Sequence, residues 1–160
     1  MNTNNAGDIK HERRVKMALN SENLVFIIHL THDTIRRRED ELFGQHGLTT
    51  EQYSILAAIK HLDEPVRITD IAHRVTRSTN SISMIVDRMV KAGLVKRTRD
   101  RKDRRTVFVT MTSKAETLFE PATLAGQEFI QKILSKVSHE DTQTLTRLFE
   151  TLQNEVGAYS

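Results

Sequence analysis

The 160-residue chain contains no cysteine. That absence excludes disulfides, thiolate metal sites, cysteine nucleophiles and cysteine-based redox sensing. Six glycines are scattered singly, so no glycine-rich loop is available to cradle a phosphate, and neither a nucleophile elbow nor an HExxH pair occurs. Acidic neighbours such as Glu140 and Asp141 stand at a helix start, where capping and the helix dipole account for them. No nucleophile, base or metal set can be assembled, so no enzyme and no cofactor are expected. No apolar run approaches the roughly 20 residues of a membrane span. The opening residues MNTNNAGDIK are polar and do not read as a secretory signal. A cytoplasmic protein is therefore expected.

Apolar content of 38% and charged content of 28% suit a soluble globular chain of one domain with a helical extension. Its charge is unevenly placed. Lys96 to Arg105 (KRTRDRKDRR) holds seven Lys or Arg and two Asp, a local net of +5. The whole chain carries +3, so the other 150 residues sum to −2. A localised basic patch with a pI near 9.3 points to nucleic acid before acidic membranes. A membrane-surface reading wants its basic residues on an amphipathic helix, and these are not.

The residues before this patch form a helical pattern. Ile82, Ile85, Val86, Met89 and Val90 fall on one stripe of a 3.6-residue period. Ser78 is placed to cap the start, and Gly93 to take the left-handed conformation that ends the helix. The opposite face carries Asn80, Ser81, Ser83, Met84, Asp87, Arg88 and Lys91. Near its N-terminus that face is short and polar, able to approach base edges and phosphates. After the patch, Val107, Val109 and Met111 alternate with Thr106, Phe108, Thr110 and Thr112, a strand pattern that can pair with Leu94 to Arg99. A capped helix followed by a basic ribbon has the layout of a winged helix-turn-helix.

The flanks read as helices. Residues 1–18 are expected to be a mobile, polar lead-in, with Lys10, Arg13, Arg14 and Lys16 solvated. Asn20 or Ser21 caps a long helix to about Phe43, with Leu24, Ile27, Ile28, Thr31, Ile35 and Leu42 on one face; Gly44 and Gly47 then break it. Its His29, His32 and Asp33 share helical spacing with metal ligands, but two helical histidines without further ligands are better read as polar interface residues. Arg36 to Asp40 form a salt-bridged, solvent-facing turn. Thr49 and Gln52 make a capping box for a helix that buries Tyr53, Leu56, Ala57, Ile59 and Leu62. Asp63, Glu64 and Pro65 form a turn, and Val66–Arg67 is at most a short strand. Thr69 caps a short helix, and Thr76 and Arg77 turn into the helix capped by Ser78. Ser113 and Glu116 open a helix to about Val137, kinked by Pro121, with Leu118, Ala122, Ala125, Phe129, Ile130, Ile133 and Val137 as its stripe. Ser138 and Asp141 cap a last helix carrying Leu145, Leu148, Phe149, Leu152 and Val156. Both ends hold more apolar surface than one small winged domain can cover, which suggests a helical homodimer interface.

Between Leu48 and Thr112 the chain resembles the multiple-antibiotic-resistance regulator (MarR) family, through LTTEQYSILAAI, ITDIAHRV, SISMIVDRMVKAGLV and DRRTVFVTMT. The implied fold is mainly α with a small β-wing: a winged helix-turn-helix domain at 48–112, flanked by dimerisation helices at 19–47 and 113–160. The implied partners are double-stranded DNA with a palindromic operator, a second copy of the chain, and a small aromatic or anionic ligand that releases the DNA. The expected DNA-binding residues are Arg77, Ser78, Thr79, Asn80, Ser81, Ser83, Met84 and Arg88 on the recognition helix. On the wing they are Arg99, Arg101, Lys102, Asp103, Arg104 and Arg105, with Asp103 orienting Arg105 for the minor groove. Phe26, His29, Leu30 and Tyr53 are candidates to line a ligand pocket, against the plainer reading that they pack the lobe on the dimer helices. Two departures from the family pattern stand out. Met84 replaces a common arginine, offering an apolar contact to a thymine methyl. Asp100–Arg101 replaces a common Asp–Pro, making the wing tip more flexible and more basic. The expected function is transcriptional repression of nearby genes. The alternatives are a winged-helix protein-interaction module, or an activator without a ligand.

Overall fold

The computed structural model describes residues 21–100, 103 and 106–158. The elements are α1 (Ser21–Gln45), α2 (Thr50–His61), α3 (Ile68–Arg74), α4 (Thr79–Lys91), β1 (Val95–Arg99), β2 (Val107–Met111), α5 (Ser113–Leu134) and α6 (His139–Ala158). The fold is mainly α with one two-stranded antiparallel sheet. It divides into two compact units, Met1–Glu39 and Asp40–Ser160. The expected lead-in at 1–18 and the cap at Asn20 lie outside the described residues.

Three helices end in the same way, and these ends fix where the chain turns. At the end of α1, the N–H of Leu48 bonds the carbonyl of Phe43 and that of Gly47 bonds Gly44. At the end of α3, Arg77 bonds Ala72 and Thr76 bonds His73; at the end of α4, Leu94 bonds Met89 and Gly93 bonds Val90. Each is the six-to-one and five-to-two pair of a Schellman motif, whose C′ residue must be left-handed. Gly47 has φ 75°, Gly93 has φ 73°, and Thr76 has φ 53°. Gly44 therefore does not break α1, as expected from sequence; it lies inside the last turn, and Gly47 supplies the reversal.

Helix starts follow side-chain chemistry. Thr49 and Gln52 form the expected capping box, with Gln52 N–H donating to Thr49 Oγ1 at 3.2 Å and Thr49 N–H donating to Gln52 Oε1 at 3.0 Å. Thr69 is not the cap of α3. That helix begins one residue earlier, at Ile68, and the Arg67 N–H donates to the Asp70 carboxylate at 3.1 Å. Nor does Ser113 cap α5. Thr112 Oγ1 accepts from the Ala115 N–H and donates to the Gly93 carbonyl at 2.8 Å, tying the start of α5 to the turn that ends α4. Helix α5 runs unbroken through Pro121 and stops at Leu134, short of the expected Val137. Ser138 caps α6 as expected, accepting from the Asp141 N–H at 3.0 Å.

The core lies within the Asp40–Ser160 unit. Leu48, Ile55, Leu56, Ile71, Ile82, Val86, Met89, Leu94, Val95, Val109 and Phe119 are all buried. Val90, expected on the buried stripe of α4, is exposed; it falls at the edge of a stripe whose centre is Ile82, Ile85, Val86 and Met89. Ile55, Phe119 and Ala115 are buried although the sequence reading passed over them. Tyr53 is sandwiched between Phe43 and Phe119, at centroid distances of 4.0 and 5.2 Å and near-parallel planes. Gly126 leaves room for the Phe43 ring, since a Cβ there would lie 3.3 Å from Phe43 Cε1. Buried Thr50 donates its hydroxyl to Asp40, linking the end of α1 to α2.

Candidate nucleic-acid interface

Helix α4 shows two faces because its apolar residues repeat every three to four positions. Buried Ile82, Ile85, Val86 and Met89 anchor it, so the opposite face must point outward. Ser78 accepts the Ser81 N–H at 3.2 Å, and its extended backbone ends the turn from α3. Thr79, Asn80, Met84 and Arg88 are exposed and Ser81 is half-buried, which presents a polar face at the N-terminal end of the helix. Met84 is 69% exposed, the only large apolar side chain so bare on the described part of this face. An exposed methionine beside serines has no packing reason to be there.

Arg77 sits in the turn before α4 and pairs with Glu51 at the start of α2, at 3.3 Å. Both side chains are over a third exposed, so the pair orients Arg77 more than it stabilises the fold.

Strands β1 and β2 pair antiparallel, from Val95 opposite Met111 to Arg99 opposite Val107. Val95 and Val109 point into the core, so Lys96, Thr98 and Arg99 are left outward. The Val109 N–H donates to the Val66 carbonyl at 2.9 Å, and Arg67 bridges Phe108, which places the residues before α3 along the free side of β2. The ribbon closes through Asp100 and Asp103. Asp100 Oδ1 accepts the Asp103 N–H at 2.8 Å, and Thr106 donates to Asp103 from its hydroxyl at 2.9 Å and from its backbone at 2.9 Å. Asp103 thus holds Thr106 through both its carboxylate and its carbonyl. The four basic tip residues expected to bind, Arg101, Lys102, Arg104 and Arg105, lie outside the described residues.

The ribbon and the helix are joined by Arg97, a residue the sequence reading passed over. Its guanidinium donates to the Asp87 carboxylate, to Ser83 Oγ at 3.0 Å and to the Ser83 carbonyl at 3.0 Å. Only the charge run could have flagged it, and that run does not say which arginine faces inward.

Of the pocket candidates, Tyr53 borders a cleft of about 290 Å³ that Ser54, Ala57, Ala58, His61, Arg74 and Val75 also line. Phe26, His29 and Leu30 are exposed on α1 in the other unit. The stacked geometry of Tyr53 is that of a packing residue. His32 contacts its neighbour Asp33 at 3.2 Å, and among the described residues no cluster of three possible metal ligands forms.

With this geometry in view, comparison with known proteins is informative. The MarR family model matches residues 46–106, from just after α1 to just before β2. Over those residues the chain is similar to the MarR family. Relatives extend the match beyond that segment. The chain is 26% identical to the Escherichia coli HTH-type transcriptional regulator PapX over 129 residues, covering 78% of the chain and 74% of PapX. It is 26% identical to the Staphylococcus aureus HTH-type transcriptional regulator MgrA over 128 residues, covering 79% of the chain and 85% of MgrA. Its fold is shared by the S. aureus MepR in a MepR–DNA complex, with a TM-score of 0.77 at 19% identity, over 82% of this chain and 96% of that one. The winged helix-turn-helix reading of α3, α4 and the ribbon therefore holds for the fold.

Proposed function

We propose that this protein is a MarR-family regulator: a dimeric, sequence-specific DNA-binding transcription factor, acting in the cytoplasm as a repressor of nearby genes. The observation that carries the reading is one surface with two chemistries. The polar, capped end of α4 exposes Asn80, Ser81 and Met84, and the ribbon beside it is strongly basic. Phosphate contacts position a protein on DNA, whereas base-edge contacts choose the sequence. The wing, with Arg99, Arg101, Lys102, Arg104 and Arg105, supplies the first. Residues Ser78 to Arg88 supply the second, with Arg77 at their lead. Relatives named as transcriptional regulators, and a shared fold seen bound to DNA in MepR, support this assignment.

Dimerisation belongs to the same proposal. Leu24, Val25, Phe26, Ile27 and Leu30 of α1 are exposed in the single chain, as are Leu145, Leu148, Phe149, Leu152 and Val156 of α6. Helix α6 has no buried residue among those described. Apolar surface of this extent is covered by a second copy, and two-fold symmetry then spaces two recognition helices about 34–36 Å apart, one turn of B-DNA, on a palindromic operator. A small aromatic or anionic ligand would release the DNA by favouring a dimer shape with another spacing.

A gel shift on the intergenic DNA beside its own gene tests the reading. A retarded band that survives unrelated competitor DNA at near-physiological salt is expected. Equal competition by any duplex contradicts it.

A further inference from the structure

We propose that Arg97 is a positioning residue that sets the wing at a fixed angle to the recognition helix, with Ser83 and Asp87 as its seat rather than as base contacts. The inference rests on the DNA-binding reading above.

The argument starts from the guanidinium fork. Arginine presents donors in one rigid plane, so two ends of one side chain can grip two acceptors at once. Here Nη1 takes the Asp87 carboxylate, and Nη2 takes both Ser83 oxygens at 3.0 Å. Ser83 and Asp87 stand four residues apart, hence on one face of α4. The Arg97 side chain is 25% exposed and that of Asp87 56%, so the two part-buried bonds to Ser83 are better shielded from water than the ion pair with Asp87. Ser83 belongs to a helix-interior turn, and its carbonyl accepts Arg97 through a second lone pair beyond the helical bond. The contact therefore joins the middle of β1 to the middle of α4 across 14 residues of sequence.

Two consequences follow. First, the Ser83 hydroxyl is committed to Arg97 and half-buried, so exposed Asn80, Met84 and Arg88, with half-buried Ser81, make the base-reading surface. Second, the wing cannot pivot about its strands without breaking three bonds at once. The minor-groove and major-groove contacts thus keep one spacing, and only DNA that matches that spacing gains both.

The test uses the full-length protein, Arg97→Lys, Ser83→Ala and the double variant, each checked by thermal melting to be folded at the assay temperature. Fluorescence anisotropy gives affinity for the operator and for an unrelated duplex, each across a salt series. For Arg97→Lys we expect unrelated-duplex affinity and its salt slope to stay within about twofold, because the wing's phosphate-facing cations remain. Operator affinity should fall about tenfold, because lysine keeps the charge and loses the fork. Ser83→Ala should lower operator affinity less, and should add nothing in the Arg97→Lys background. If Arg97→Lys fails to fold, Asp87→Asn replaces it: operator affinity should fall by a smaller factor, and Ser83→Ala should then add a further loss, because the Arg97–Ser83 bonds remain. A folded Arg97→Lys that discriminates as well as wild type overturns the inference, as does a Ser83→Ala loss that persists in full in the double variant. A wild type that prefers no duplex sinks the functional proposal instead, so the two failures are separable.

Discussion

In the proposed interface, Met84 is the residue on which sequence choice turns. It is exposed, apolar and flanked by polar neighbours, a combination that suits van der Waals contact with a thymine methyl in the major groove. Replacing Met84 with arginine should move preference toward guanine at the facing position, a change of about 1–3 kcal/mol in discrimination at that base pair. Selection from a randomised duplex library reads this directly. An unchanged base preference would remove Met84 from the interface. Arg105 makes the complementary case. Arg105→Ala should weaken binding to all sequences alike and reduce the salt dependence by about one phosphate. An unaltered salt slope would deny the wing tip its role. Met84 stands out in the sequence because its type departs from its polar neighbours, and Arg105 through the resemblance to the family's D-x-R wing motif. Arg97 was not legible. It sits in a run of seven basic residues, and its partner acceptors are 10 and 14 positions away, so only the folded ribbon distinguishes it from its neighbours. The contact of Ser83 with Arg97 was hidden for the same reason: a place in a helical pattern says nothing about an arginine arriving from a strand.

At the scale of elements, helix ends explain most of what agreed and what did not. Gly47 and Gly93 were readable as left-handed stops because glycine adopts positive φ at little cost. Thr76 performs the same task at φ 53° and gave no signal, since a β-branched residue is rare there. Opposite outcomes are expected at the two sites. Thr76→Gly should stabilise the fold by about 0.5–1 kcal/mol, the relief of the left-handed strain less the entropy of glycine. Gly93→Ala should destabilise it by about 1 kcal/mol, with strain as the whole cause, because an added Cβ would meet nothing nearer than Lys114 Cδ at 4.0 Å. Urea unfolding midpoints at constant m-value measure both. A stabilised Gly93→Ala would contradict the account of these turns. The displaced caps have a smaller cause. Thr112 and Ser113 are both good capping residues, and the hydrogen bond from Thr112 to the Gly93 carbonyl decides between them, a contact 19 residues distant in sequence. Periodicity placed every helix to within a few residues for the same reason that it could not place their ends: burial acts on whole faces, capping on single atoms.

For the whole molecule, the core of the Asp40–Ser160 unit satisfies the winged domain, and the apolar residues at both ends of the chain are left over. The sequence showed this surplus as amphipathic stripes, and it could show no partner, since in the proposed dimer the complementary surface belongs to another copy of the chain. Phe149→Asp should yield a monomer by analytical ultracentrifugation with helix content retained. Operator affinity should fall by about two orders of magnitude or more, since one half-site is then lost to the complex. A Phe149→Asp chain that stays dimeric would take α6 out of the interface. The central claim, that one folded surface both reads sequence and neutralises phosphate, is tested most directly by anisotropy titration of the operator against a scrambled duplex of equal composition across a salt series. The account predicts that the operator binds more tightly by about a thousandfold or more at every salt concentration, with affinities for both duplexes falling steeply as salt rises. Equal affinities for the two duplexes, or binding indifferent to salt, would contradict it.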